Sequence, residues 1–143
     1  MAHNHAGHNH EHREDLTRNQ GLVLETLHAA ESPLSAYDIL DRLRSEGLRA
    51  PLQVYRALDK LVDAGLAHRL ESLNAFVCCA NAEKHARTGG TAAFAICENC
   101  HRVDEFSDEV VEERLGRWAE EHGFTPSRTT IELRGRCRDC AQA

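Results

Sequence analysis

The sequence predicts an α+β protein in two parts: an amino-terminal winged helix-turn-helix domain, an architecture suited to DNA-binding, and a small α/β dimerisation domain after it. Three observations carry this. Three short capped helical patterns fill residues 17–65 and give way at Ala67 to a hairpin pattern. A polar stretch, ANAEKHARTGGT, with adjacent Gly89 and Gly90, then interrupts the chain. Two C-x-x-C pairs, Cys97 with Cys100 and Cys137 with Cys140, bracket the last segment of strand and helix patterns. The expected division is a disordered histidine-rich tail at 1–12, the winged-helix domain at 13–80, a hinge at 81–91 and the dimerisation domain at 92–143.

Thr17 and Gln20 make a capping-box pattern, the threonine accepting from a free backbone N–H while the glutamine reaches back. Leu16, Val23, Leu24 and Leu27 then lie on one helical stripe to about Ala30, and Ser32-Pro33 closes the segment. Ser35 and Asp38 mark a second start, followed by Ile39, Leu40 and Leu43 and ended by Gly47. Pro51 suits the first turn of a third helix, where its missing N–H costs nothing. Val54, Leu58, Leu61 and Val62 face inward on it, and Gly65 terminates it. HRLE and AFVCC, on either side of a polar turn at 72–74, read as the strands of the wing.

Beyond the hinge, AAFAIC and RVDEF are strands joined by the turn ENCH. Ser107 is expected to cap a helix with Asp108 and Glu109 in its first turn, where negative charge suits the helix dipole. Its stripe is Val111, Leu115 and Trp118, and Gly123 ends it; TTIELR is a last strand leading into GRCRDC. A lobe of about fifty residues is small for independent stability. It gains from a metal staple and from pairing with a second copy through its sheet edge and the Trp118 stripe, which predicts a homodimer.

Bulk properties narrow the classes. A chain of 143 residues with 41% hydrophobic and 28% charged residues fits a soluble globular protein. No apolar run approaches the ~18 residues of a membrane span and no signal-peptide core is present, so the expected location is cytoplasmic, with no membrane partner. The net charge of −6 opposes nucleic-acid binding only weakly, because the deficit is uneven. Residues 13–69 carry eight Arg/Lys against nine Asp/Glu, and residues 82–143 carry nine against twelve.

In a reducing cytosol, six cysteines point to metal ligation or catalysis before disulfides. A two-residue gap lets both thiolates of a pair meet one ion, and two such turns complete a tetrahedron at zinc–sulfur distances of roughly 2.3 Å. The pairs are thirty-six residues apart, beyond the usual finger spacing of ~15–20. The ion would therefore tie the lobe's first hairpin to its last residues. Neither pair has the βαβ setting of a thioredoxin-like redox motif. A closed four-thiolate site leaves no position for substrate, which argues against an enzyme. Adjacent Cys78 and Cys79 point to opposite faces of a strand, so at most one serves a given site, and Cys78 is expected to be buried and apolar in role. Five of the ten histidines, His3, His5, His8, His10 and His12, crowd the tail. With no scaffold around them they are expected to gather zinc loosely.

With Val54, Leu58 and Leu61 inward, the third helix turns Gln53, Arg56 and Lys60 outward. Arg56 is the expected base reader, since a guanidinium gives two bonds to guanine. Arg49 and Lys60 are expected to meet phosphates. Asp41 and Arg44, on the exposed side of the second helix, could pair between adjacent dimers, placing two dimers on one stretch of DNA.

The motifs QVYRALDKLVDAGLAHRLES, NAFVCC, FAICENCHRVDEF and GRCRDC together resemble the ferric uptake regulator (Fur) family, nearest its zinc uptake regulators (Zur), over nearly everything after residue 15. The resemblance implies a homodimeric bacterial transcription factor whose metal-loaded form binds a palindromic double-stranded DNA operator and represses zinc-uptake genes. It implies two zinc ions per subunit. The structural one falls on Cys97, Cys100, Cys137 and Cys140, in agreement with the spacing. The sensory one falls on His68, Cys79, a hinge histidine and Glu105. His85 is the histidine this hinge offers, with His101 its nearest rival. Tyr37 and Arg56 are the DNA contacts the family pattern marks. Iron-sensing relatives usually carry a histidine-and-aspartate-rich hinge and a further late-strand histidine, where this chain has Thr129; zinc is thus favoured, with iron, nickel or manganese as alternatives. A cytosolic zinc-binding carrier is the alternative of another class, and it would have no need of outward arginine and lysine on a recognition helix.

Overall fold

The computed structural model describes residues 15–79 and 91–142. The chain divides into two compact units, Met1–Ala82 and Glu83–Ala143, each taken by itself below. The histidine-rich tail, nearly all of the expected hinge and His85 within it lie outside the described residues.

In the first unit, α1 runs Arg18–Ala29, α2 Ala36–Leu43 and α3 Pro51–Asp63, followed by β1 Ala67–Leu70 and β2 Ala75–Cys78. Both capping boxes are formed. Thr17 Oγ1 accepts from the Gln20 N–H at 3.2 Å and Gln20 Oε1 from the Thr17 N–H at 3.2 Å. Ser35 and Asp38 exchange the same pair of bonds at 3.1 Å. Caps of this kind are worth about 1 kcal/mol each. α2 tightens into a 3₁₀ turn, Arg44–Glu46, and stops at Gly47, whose φ of 100° a side chain would resist.

The three apolar stripes converge. Val23, Ile39, Leu48, Val54, Leu58 and Leu61 are essentially sealed from solvent, and Phe76 of β2 closes the same cluster. At about 1.5–3 kcal/mol per fully buried aliphatic side chain, this cluster outweighs exposed pairs such as Arg18–Glu46 at 3.6 Å, which are worth ~0–1 kcal/mol. The wing strands pair antiparallel, with Ala67 opposite Cys78 and Leu70 opposite Ala75. Leu34, in the connection between α1 and α2, adds a third line to the wing: it donates to the Phe76 carbonyl at 3.0 Å and accepts from the Phe76 N–H at 2.8 Å. Three helices with a two-stranded wing is the winged helix-turn-helix arrangement.

In the second unit, β3 is Thr91–Cys97, β4 Val103–Phe106, α4 Glu109–Glu121, β5 Thr129–Gly135 and α5 Arg138–Ala141. The sheet order is β4-β3-β5, with β4 antiparallel and β5 parallel to the central strand. The cap of α4 is Asp108 rather than the expected Ser107: the Asp108 carboxylate accepts from the N–H groups of Val110 and Val111 at 3.0 and 3.1 Å. Standing two and three residues before those donors, it has the reach that Ser107 lacks, and its charge suits the helix dipole. The one-turn α5 was not expected, being too short to show a period.

Among the described residues of this unit, buried side chains are few: Ala92, Ala93, Phe94, Ile96, Cys97 and Ala119. Val110, Val111, Leu115 and Trp118 of α4 are exposed, as are Phe124 and Leu133. Trp118 stacks on His122 with ring centroids 4.3 Å apart, and half of its surface still faces solvent. The apolar stripe of α4 is thus open to solvent. Among the described residues, no helix is long and apolar enough to cross a membrane.

Candidate metal centres and nucleic-acid interface

The sulfurs of Cys97, Cys100, Cys137 and Cys140 all lie within 4.8 Å of one another. Cys97 ends β3, and the turn after it brings Cys100 back, with the Cys100 N–H donating to Cys97 Sγ at 3.5 Å. The hairpin is closed by the Cys97 N–H on the Arg102 carbonyl at 2.9 Å and by His101 in the left-handed region at φ 64°. The Glu98 N–H donates to the Gly135 carbonyl at 2.8 Å, which pins this turn to the end of β5. Two residues later Cys137 caps α5, and one helical turn carries Cys140 to the same place. Zinc–sulfur bonds of about 2.3 Å in a tetrahedron require sulfurs about 3.8 Å apart; Cys100 and Cys137 stand at 3.8 Å. The donor set and spacing fit zinc.

Four crowded sulfurs cannot all ionise unaided. The N–H of Cys100 first, then those of Cys137 and Asn99, converge on Cys97 and lower its thiol from 9.0 to about 6. At Cys100 the Arg102 N–H favours the thiolate, yet the sulfurs of Cys97, Cys137 and Cys140, with burial, outweigh it and push the group up to about 11. Cys140 is also raised, its hydrogen bond from Asn99 overcome by Cys137 and Cys97. A divalent cation removes that conflict by favouring all four thiolates together. His101, the rival histidine of the sequence reading, is exposed on this turn.

The adjacent cysteines separate as strand geometry requires. The Cys79 N–H donates to the Leu66 carbonyl at 2.9 Å, continuing the wing ladder past Cys78. Cys79 therefore shares a face with His68, which pairs with Val77 in the register. Both are buried, each 8% exposed, and their ligand atoms lie within 4.8 Å. Cys78 turns the other way. Its sulfur packs against the helical core and stands 3.8 Å from His28 Nδ1. Glu105 is half-buried on β4 of the second unit, opposite Phe94 in the register.

On α3, Val54, Ala57, Leu58 and Leu61 point inward, while Gln53, Arg56 and Lys60 are exposed. These three line one open groove of about 620 Å³ with Thr17, Asn19 and Gln20 at the start of α1. The sequence marks Gln20 only as a helix cap and Asn19 not at all, because nothing local shows that the start of α1 meets α3. Neither Arg56 nor Lys60 forms an ion pair among the described residues, so both cations are available. Tyr37 is 61% exposed on α2, and Arg49 is exposed just before α3. Asp41 and Arg44, expected to reach a neighbouring dimer, pair with each other at 3.1 Å.

The sequence profile described as the Ferric uptake regulator family matches residues 14–134. Among solved structures, the chain is similar to the crystal structure of holo XcZur, with 39% identity and a TM-score of 0.78 over 90% of this chain and 87% of that one. It is also similar to a zinc uptake regulator complexed with zinc and DNA, with 34% identity and a TM-score of 0.82 over 96% of this chain and 91% of that one. Likeness to the ferric uptake regulator of Vibrio cholerae is lower, at 25% identity and a TM-score of 0.55, over 90% of this chain and 99% of that one. No curated protein sequence matches.

Proposed function

The chain belongs to the ferric uptake regulator family, and on that premise we propose that it is a zinc-responsive, dimeric, cytoplasmic repressor whose metal-loaded form binds operator DNA and silences zinc-uptake genes. The observation that carries this reading is the likeness over nearly the whole chain to a zinc uptake regulator solved with zinc and DNA. Two ions per subunit are assigned. Cys97, Cys100, Cys137 and Cys140 hold the structural one; His68, Cys79, His85 and Glu105 hold the sensory one. When bound, zinc supplies a four-coordinate anchor that accepts nitrogen, sulfur and oxygen donors alike.

The residues do the rest. His68 and Cys79 present imidazole and thiolate from one face of the wing, Glu105 a carboxylate from β4, and His85 an imidazole from the hinge expected at 81–91. Drawing four donors to one centre spends ligation free energy on selecting one conformation. The open stripe of α4 and the edge of β5 pair two subunits, as an isologous interface requires. Arg56 reads base edges and Tyr37 contacts the DNA from α2, while Arg49 and Lys60 meet phosphates. Two dimers on one operator would require the Asp41–Arg44 pair to open and re-form between molecules.

The second reading, a regulator of iron, nickel or manganese, draws on the likeness to the Vibrio cholerae protein, but the Cys79 thiolate favours a softer ion than manganese. A gel-shift titration with promoter DNA from a zinc-importer gene, at buffered free metal concentrations, separates them. Retardation is expected with zinc at lower free concentration than with the other ions. Retardation that ignores zinc contradicts the proposal, and zinc binding with no retardation at any level makes the chain a carrier.

A further inference from the structure

Helix α3 begins without a side-chain cap of its own. Ala50 at the N-cap has no acceptor to offer, and Pro51 at the first helical position has no N–H. The brace comes from inside the helix. Gln53 Oε1 accepts from the Arg49 N–H at 2.9 Å and from the Ala50 N–H at 3.1 Å. Both neighbours are backbone donors, so the amide cannot be turned over: its NH₂ would then face two N–H groups. Both lone pairs of the carbonyl oxygen are spent, and only the two donors of Nε2 remain.

We infer that Gln53 is a positioning residue that locks Arg49, Ala50 and the first turn of α3 together, and that in meeting DNA it serves as a hydrogen-bond donor only. The second half rests on the DNA-binding reading above; the first does not. The groove beside Gln53 is shared by Arg56 and Lys60, at i+3 and i+7 on the same face. Arginine and lysine also have donors and no acceptor. Gln53, Arg56 and Lys60 thus present donors along α3, with the carboxylates of Asp59 and Asp63 bordering the same groove. A free glutamine reads adenine with two bonds, accepting from N6 and donating to N7. The braced Gln53 cannot make that pair, and it suits an acceptor edge: N7 and O6 of guanine, or O4 of thymine.

Gln53→Glu keeps the acceptor and removes the donors, whereas Gln53→Ala removes both. In the protein without DNA, hydrogen exchange at the Arg49 and Ala50 amides should stay slow in wild type and Gln53→Glu and quicken about tenfold in Gln53→Ala, as the loss of a hydrogen bond implies. Sites selected from randomised duplex DNA should carry guanine or thymine at one position in wild type. That position should turn to cytosine, whose N4 donates, in Gln53→Glu, and lose its preference in Gln53→Ala. Equal exchange in wild type and Gln53→Ala overturns the brace. Adenine preferred over guanine at the Gln53-dependent position, or identical selected sites for all three proteins, overturns the donor-only role. If wild type selects no DNA at any zinc level, the DNA-binding reading fails and the donor-only role with it, while exchange still decides the brace.

Discussion

The two units reach stability by different routes. In the first, three helices and a wing bury a continuous aliphatic cluster from Val23 to Phe76, enough apolar surface to fold around. In the second, a three-stranded sheet and one long helix bury half a dozen side chains and leave Trp118, Leu115 and Val111 open. What the second unit lacks in core it can recover from four sulfurs gathered between its first hairpin and its last turn, and from a second copy laid on α4. On the proposed reading, metal and partner complete the fold of the second unit, whereas the first has an apolar core of its own.

The largest effect is expected from taking the ion out of the second unit. Cys97→Ser, or a strong chelator, should abolish the cooperative melting of that unit and leave the helical unit folded, since structural zinc supplies about 10 kcal/mol or more in small domains. Differential scanning calorimetry checks this; an unchanged two-unit profile with zinc removed would contradict it. Next in size is the partner. Leu115→Asp places a charge on the open stripe and should weaken self-association by about thirtyfold or more, read by sedimentation velocity. An unaltered dimer would move the interface elsewhere.

The smallest expected effect is on pH. Cys97, lowered to about 6, is mostly thiolate at neutral pH, whereas Cys100 at about 11 and the raised Cys140 still hold protons. Zinc loading must expel those two, so affinity should rise with pH through the neutral range, and fall further below about pH 6 as Cys97 itself protonates. Calorimetric titration in buffers of different ionisation enthalpy should register at least the protons of Cys100 and Cys140. Loading without proton release would mean that these sulfurs are not the ligands.

Most of the fold was legible because its signals are local. Thr17, Ser35 and Pro51 mark helix starts through bonds within a turn, Gly47 and Gly65 mark ends through positive φ, and the C-x-x-C spacing encodes its own geometry. What stayed hidden depends on distant or crowded partners. The Leu34–Phe76 bridge joins residues that no pattern links, and the parallel pairing of β3 with β5 spans a helix. Asp108 and Ser107 are both good caps, so only reach separates them. Gln53 read as one more outward polar residue, yet its oxygen is committed to two backbone N–H groups. Of the mixed site, the shared face of His68 and Cys79 follows from alternation along the wing, whereas assigning His85 and Glu105 to it rests on resemblance.

The proposed zinc response rests on that mixed site. Fluorescence anisotropy of labelled operator DNA, at buffered free zinc, with wild type and Cys79→Ser in parallel, tests it directly. The prediction is zinc-dependent binding in wild type and none in Cys79→Ser, which should remain a folded dimer that keeps its four-cysteine zinc. A Cys79→Ser protein that binds DNA with the wild-type zinc midpoint would contradict the account.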